Sequence, residues 1–393
     1  MIVFTHENRV RVSGGRFFVD RKNLAGMENY VRHLGVPMTV VHPELPPEAD
    51  GSVIDLVDVP VGSLGYSVVT LRYDERGHLA PGEMDRLRAA TAGAKLVYGD
   101  VSVPQLEAAW RVPLISVIEY TLKTVVTFAT EGVKGALERN WRLARALRFY
   151  LTKFVPSIRR AKLLHCNGYP IYEESALVNS HRLLYLDSRM EREQVISEDA
   201  LARRLGERRK RAPRLLFSGR FEPAKGALDV VLVGAELARQ GVPFEMHLYG
   251  QGSQRVAMDR AVVENGLTDK VTIHDAVPYP ELVEIARGFD LFVCCHVQDD
   301  PSCTYIESFG CGLPVVGYAN AMWRGLAMSS RAGVVSRLRA PAALADGIAR
   351  LLADGARVDA LSRHARDFAL EHCFENEFAR RTDSIEELYK QAA

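Results

Sequence analysis

The sequence has little that would cross-link it. Six cysteines, Cys166, Cys294, Cys295, Cys303, Cys311 and Cys373, stand among 393 residues. No Cys-x-x-Cys pair occurs and no spacing matches a zinc site, so neither a disulfide framework nor a structural metal is expected. Most of the cysteines lie in apolar runs such as Phe292-Val293-Cys294-Cys295, as free buried thiols in a reducing compartment would. Long hydrophobic runs are missing too: nothing approaches the roughly 18 apolar residues of a membrane span. The opening Met1-Ile2-Val3-Phe4-Thr5-His6-Glu7 lacks the basic start and apolar stretch of a signal peptide. The expectation is a cytoplasmic protein, soluble or peripheral on the inner face of the membrane. Nor is there an excess of one charge. Fifty Lys and Arg oppose 49 Asp and Glu, a net charge of +1, which excludes a polycation built for nucleic acid.

What is present is ordinary for a folded protein. Apolar residues make up 47% and charged residues 25%, which excludes disordered and collagen-like classes. At about 150 residues per domain the length suggests two or three domains. From Arg214 onward, short apolar runs alternate with helical patterns. Strands are expected at 214–218, 244–249, 271–274, 291–295 and 313–317, and helices at 224–240, 255–265, 280–287 and 304–311. This alternation implies βαβ units and a parallel sheet. The N-terminal half repeats it less cleanly, with strands at 2–5, 38–41, 53–57, 68–71, 95–98, 114–117 and 163–166. Helices are expected at 24–34, 83–92 and 105–110. The fold class is thus α/β, with two doubly wound, Rossmann-like parallel-sheet domains. The expected division is an N-terminal domain over 1–190, a charged linker containing a helix over 191–212, a second domain over 213–369, and a C-terminal helix over 370–393 crossing back to the first domain. Two such domains would face a central cleft, where the carboxyl ends of the strands bind ligands.

Three motifs follow strands in the second half. Ser218-Gly219-Arg220-Phe221-Glu222-Pro223-Ala224-Lys225-Gly226 joins a strand to a helix. Glycine permits close backbone approach, a helix N-terminus offers unpaired N–H groups, and Arg220 and Lys225 add two cations. That combination suits a diphosphate without a metal, and equally two surface cations beside a turn. Leu248-Tyr249-Gly250-Gln251-Gly252 is a second glycine turn, weak evidence taken alone. The third motif runs from Asp299 through Ser302-Cys303-Thr304 to Glu307 and on to Gly312-Leu313-Pro314-Val315-Val316. A carboxylate accepts two hydrogen bonds from vicinal hydroxyls, so Glu307 suits a ribose and Asp299 a sugar hydroxyl. An acidic loop and a solvated helix face are the alternative.

Together and in this order, the motifs resemble those of the retaining nucleotide-sugar glycosyltransferases of family 4, which have the GT-B fold. The resemblance is specific from about Leu215 to Val335. It implies that Arg220 and Lys225 hold the donor diphosphate, and that Glu307, the second acid of the family's E-x7-E pair, grips the donor ribose. Asp299 matches the first acid, one methylene shorter, and would contact the transferred sugar. Ser302, Cys303 and Thr304 would offer backbone N–H groups to sugar and phosphate. The loop Asp275-Ala276-Val277 would lie by a uracil or guanine base. Gly14 and Gly15 stand where family members often carry a glycine-rich loop after the first strand. The family's His-Gly is absent from Ser116-Val117-Ile118-Glu119-Tyr120-Thr121; Glu119 is instead a candidate acceptor-binding residue or base, or a structural strand-end carboxylate. His165 is a further candidate, better read as a core histidine. The resemblance implies a retaining, metal-independent hexosyltransferase without a resident cofactor. Its partners would be a UDP- or GDP-sugar donor and a glycan, lipid-linked or small-molecule acceptor. An epimerase or hydrolase on the same fold, and a non-catalytic nucleotide-sugar-binding protein, remain alternatives.

The balanced charge conceals one basic segment. Residues 139–162 carry eight Lys and Arg and no acid. On a helical projection Leu143, Leu147, Tyr150, Leu151 and Phe154 share one face, with Arg142, Arg145 and Lys153 opposite and Trp141 and Phe149 near the basic side. The pattern suits an anionic membrane surface, an anionic acceptor, or a solvated helix face.

Overall fold

The structure is a computed structural model that describes residues 1–45, 56–74, 78–100, 111–299 and 301–392. The chain forms two compact units. The first comprises Met1–Asn167, Ile171–Tyr185 and the chain from Ala379 onward; the second comprises Gly168–Pro170 and Leu186–Phe378. Residues 191–212 therefore lie within the second unit, where Glu198–Arg208 is helical and Leu201 and Leu205 are buried.

In the first unit the strands are β1 (Ile2–Thr5), β2 (Arg11–Ser13), β3 (Arg16–Asp20), β4 (Met38–Pro43), β5 (Leu56–Pro60), β6 (Ser67–Leu71), β7 (Leu96–Asp100), β8 (Leu114–Ile118), β9 (Leu163–Asn167) and β10 (Arg182–Tyr185). Seven form a sheet of order β10-β9-β8-β7-β1-β4-β6, with every neighbouring pair parallel. Sequence patterning missed β10 and the β2–β3 hairpin, short strands of which β2 has no buried residue and β10 only one. The strand expected at 53–57 falls partly outside the described residues. Its remainder, in β5, pairs antiparallel with β3 in a separate three-stranded sheet. The helix expected at 105–110 lies outside the described residues.

The second unit contains β11 (Arg214–Ser218), β12 (Glu245–Tyr249), β13 (Val271–His274), β14 (Leu291–Cys294), β15 (Val315–Tyr318) and β16 (Gly333–Ser336). Their order is β13-β12-β11-β14-β15-β16, all parallel. Both faces are covered, so β11, β14 and β15 read as continuous apolar runs: Leu215, Phe217, Phe292, Val293, Val315 and Val316 are buried. The order reverses between β11 and β14. In open parallel sheets this switch point is where ligands bind, beyond the carboxyl ends of the strands. Three helices, Pro341–Ala353, Gly355–Glu371 and Phe374–Gln391, end the chain.

One helical reading is corrected. Leu151, expected on the inward apolar face, is 62% exposed, whereas Tyr150 and Phe154 are buried. A π-helical turn over Tyr150–Phe154 interrupts the helix Ala136–Phe149. The wider turn rotates the following residues out of the 100° register on which the projection relied.

Candidate functional site

Next to the switch point of the second sheet, the glycine turns after β11 and β12 are locked together. After β11, the Gly219 N–H donates to the Tyr249 carbonyl (3.0 Å), and the Phe221 N–H to the Gln251 carbonyl (2.8 Å). After β12, the Gln254 N–H returns a bond to the Phe221 carbonyl (2.9 Å). A Cβ on Gly250 would stand 1.9 Å from the Gly219 carbonyl oxygen, and one on Gly252 2.5 Å from that of Phe221. Gly250 and Gly252 are glycines because two backbones touch there. Glu222 fixes the rim, accepting from the Ser253 N–H (2.9 Å) and hydroxyl (2.5 Å), and these bonds hold its carboxyl below its usual range.

Lys225 closes a short 3₁₀ turn, Pro223–Lys225, immediately before the helix Ala227–Arg239. It is buried, while Arg220 is exposed. Gly226 has φ +62°, and a Cβ there would fall 2.1 Å from the Cys295 carbonyl oxygen. The Val297 N–H donates to the Ala224 carbonyl (3.1 Å). The turn bearing Lys225 is thus seated on the chain leaving β14. No side chain caps the helix, although Gln254 accepts from the Leu228 N–H (3.3 Å).

The chain leaving β14 carries His296 and Asp299, both buried. One Asp299 oxygen accepts from the Ala321 N–H (2.7 Å) at the start of the helix Ala321–Ser330, whose N-cap is Asn320. Asn320 Nδ2 donates to the His296 carbonyl (3.0 Å) and to the Tyr305 hydroxyl (3.2 Å). Ser302, Cys303 and Thr304, all half-buried, lead into the helix Thr304–Gly310. The Ser302 hydroxyl donates to that of Thr304 (3.2 Å), and the Cys303 thiol to Asp187 (3.7 Å). On this helix Glu307 is buried and paired with Arg189, whose Nε donates to it at 2.9 Å. The Arg189 guanidinium lies 4.3 Å from the Tyr279 ring centroid. Beneath, Arg204 donates to the carbonyls of Cys311 and Gly312 (2.6 Å each), bracing the turn after this helix.

Val277 is half-buried in the loop after β13. Beside it Arg255 pairs with Asp275 (2.9 Å), and His274 stacks between Tyr249 (4.2 Å) and His247 (5.2 Å). Burial lowers the pKa values of both histidines, so the stack is uncharged at neutral pH. Gly219, Arg220, Lys225, Gly250, Val277, Asp299, Ser302, Cys303, Thr304 and Glu307 all lie at the carboxyl ends of β11 to β14 or in the segments that leave them.

The remaining candidates belong to the first unit. Gly14 and Gly15, at φ +56° and +75°, form the two-residue turn of the β2–β3 hairpin. Such a turn requires positive φ at both positions, which explains these glycines without a ligand. Glu119, half-buried just beyond β8, accepts from Asn167 Nδ2 (2.9 Å). His165 is a core residue. Its ring nitrogens meet the Ser384 hydroxyl (2.8 Å) and the Tyr98 hydroxyl (3.4 Å), and burial depresses its pKa to about 3.

Sequence reasoning missed Arg189, Arg204, His296 and Asn320. Arg189 lies 118 residues from Glu307, and no local pattern links them. His296 carried one available signal, its place directly after an apolar strand in a sheet of this class.

Among known proteins, residues 200–368 match the family model of glycosyl transferases group 1. A 2-deoxystreptamine glucosyltransferase of Streptomyces kanamyceticus is 31% identical over 120 residues, 30% of this chain and 31% of the relative. The chain thus matches less than a third of that relative's length. Solved structures match along nearly the whole chain. A sucrose-phosphate synthase from Thermosynechococcus elongatus is 18% identical at a TM-score of 0.66, covering 99% of this chain and 98% of that one. Anabaena HepE in complex with UDP is 13% identical at a TM-score of 0.66, covering 99% of each. WaaG, a glycosyltransferase involved in lipopolysaccharide biosynthesis, is 11% identical at 0.61, again covering 99% of each. These likenesses show the GT-B fold, two parallel-sheet α/β domains, and residues 200–368 are similar to the glycosyl transferases group 1 family.

Proposed function

We propose that the protein is a glycosyltransferase that moves a hexose from a UDP- or GDP-sugar to a glycan, lipid-linked or small-molecule acceptor, with retention at the anomeric carbon. One observation carries the reading: Lys225 is buried on a turn seated on the chain leaving β14, directly before the helix Ala227–Arg239, with Arg220 in the same loop after β11. As the bond from the anomeric carbon to the diphosphate oxygen breaks, negative charge gathers on the leaving group. Two cations, one of them buried, and a helix N-terminus then stabilise charge that develops only in the transition state. The reading assigns Glu307 to the ribose hydroxyls and Asp299 to the sugar, with Ser302, Cys303 and Thr304 beside it. Glu119 binds the acceptor hydroxyl. No protein nucleophile is invoked: the acceptor attacks the face the diphosphate leaves, and the departing phosphate takes the acceptor proton. The cations stabilise the leaving group where other enzymes use a metal, so turnover should survive EDTA. Incubation with UDP-, GDP- and ADP-sugars and an acceptor panel should release nucleoside diphosphate only when acceptor is present. Release from donor alone would favour a hydrolase or epimerase, and binding without turnover a sugar-nucleotide-binding protein. NMR of the product's anomeric proton tests retention.

A second proposal concerns where the enzyme works. No helix among the described residues is long and apolar enough to cross a membrane. The helix Ala136–Phe149 nevertheless turns apolar side chains outward: Leu137 is 88% and Trp141 60% exposed, and Leu151, within the π turn that follows, is exposed as well. Arg145 lies over the Trp141 ring (4.9 Å), and Arg148 and Lys153 are exposed nearby. Apolar side chains among cations suit the headgroup boundary of an anionic bilayer, at about 1 kcal/mol per cation. Co-sedimentation with phosphatidylglycerol-containing vesicles should be lost in the W141S/L137S/R148E variant and absent with neutral vesicles. Unchanged sedimentation would refute this placement.

A further inference from the structure

His296 presents a buried polar atom with nothing to bind. The residue is 2% exposed, and its Nε2 has no hydrogen-bond partner among the described residues. A buried nitrogen left without a hydrogen bond loses its hydration with no return, and calls for a compensating partner. His42 shares the feature, but its ring stacks on His6 at 5.2 Å and its Nδ1 meets the Asn8 carbonyl (3.1 Å), so packing accounts for it.

His296 is held differently. The residue before it, Cys295, presses its carbonyl on Gly226, and the residue after it, Val297, donates its N–H to Ala224. Its own carbonyl accepts from Asn320, and its ring meets Tyr305 edge-on at 5.7 Å. The backbone on either side is therefore fastened to the very turn that carries Lys225. Burial, and then the charges of Lys225 and Arg220, push its pKa well below the ordinary histidine range, so the ring stays neutral.

We infer that His296 is a further donor-binding residue, its neutral Nε2–H donating a hydrogen bond to an oxygen of the donor's diphosphate beside Lys225. The inference rests on the proposed function and adds a residue to its leaving-group site. No proton is transferred. The bond strengthens as the anomeric carbon–oxygen bond breaks and charge moves to the diphosphate. A neutral donor at this point adds recognition without a third like charge beside two cations.

Calorimetric titration would first identify which of UDP, GDP and ADP the wild-type protein binds. That diphosphate and its bare nucleoside are then titrated into His296→Phe, His296→Asn and His296→Gln. The Gln amide nitrogen reaches the position of Nε2; the Asn amide stops near Nδ1. Phe and Asn should each weaken the diphosphate at least 10-fold, Gln should restore it to within about threefold, and nucleoside affinity should not change. Kinetically, loss should be larger in kcat/KM than in KM alone. Equal weakening of diphosphate and nucleoside, or wild-type affinity in the Phe and Asn variants, would overturn the inference and leave His296 a packing residue. If the wild type binds none of the three diphosphates, the glycosyltransferase reading fails, and this inference with it.

Discussion

Gly226→Ala is the sharpest probe of how the site is assembled, because two separable penalties meet there. The residue sits at φ +62°, and the new Cβ would lie 2.1 Å from the Cys295 carbonyl oxygen. The left-handed conformation alone costs an L-residue about 1–2 kcal/mol. The overlap is between two backbones, so it cannot be relieved by a rotamer change. Clearing it requires the Lys225 turn and the end of β14 to part by about 1 Å, at a further cost of roughly 1–3 kcal/mol. Gly241 supplies the control. It has φ +71° but nothing within 4 Å of its Cβ, so Gly241→Ala carries the conformational penalty without the clash. Urea unfolding should rank wild type above Gly241→Ala above Gly226→Ala, with the second gap at least about 1 kcal/mol. For a domain of this size each kcal/mol corresponds to about 2–4 °C in Tm. Displacing Lys225 by that distance should also reduce turnover about 100-fold, whereas Gly241→Ala should turn over normally. If the two variants match in stability and activity, the close seating of the turn on β14 is not what builds the site.

Three more expectations follow from the same packing. Lys225→Ala should lower kcat about 10²–10³-fold while circular dichroism and Tm show an intact fold, as for loss of one preorganised charge stabiliser. Arg204→Met should destabilise the second unit by roughly 2–4 kcal/mol in urea, because the carbonyls of Cys311 and Gly312 lose their donor; a change below 0.5 kcal/mol would remove the bracing role. Finally, burial depresses His6 to about 4 and His42 and His165 to about 3, against an ordinary 6.5. The unfolded chain then binds more protons below pH 6.5, so stability is lost as pH falls from there towards the folded values. Between pH 6.5 and 5.5 the unfolded imidazoles go from half to about nine-tenths protonated, so each histidine contributes about 1 kcal/mol and the three together about 3 kcal/mol. Equal urea midpoints for the first unit at pH 7 and 5.5 would contradict these burial-driven shifts.

The legibility of the sequence varied for physical reasons. Strands such as Arg214–Ser218 and Leu291–Cys294 were visible because a parallel sheet covered on both faces needs unbroken apolar runs, and the glycines after Arg214–Ser218 and Glu245–Tyr249 mark where backbones meet. The edge strand Gly333–Ser336 was not, since its partly exposed residues interrupt the pattern. Leu151 was misplaced by a π turn that no periodicity announces. Within the candidate site, the residues adjacent to strand ends were legible. Arg189 and Asn320 were not, because their partners Glu307 and His296 come from distant or unpatterned segments. Gly14 and Gly15 show the opposite hazard: a glycine pair placed like the glycine-rich loop of the resembled family also meets the positive-φ demand of a hairpin turn.

The central claim is that a clamped, buried lysine at the switch point holds a nucleoside diphosphate. Calorimetric titration of UDP and GDP into wild type and Lys225→Ala, with the variant's fold checked by circular dichroism, tests it most directly. The account predicts saturable binding of one nucleotide to the wild type and a loss of at least about 30-fold in the variant, the order expected for a charged hydrogen bond. Equal affinity in a folded variant, or no binding by the wild type, would contradict it.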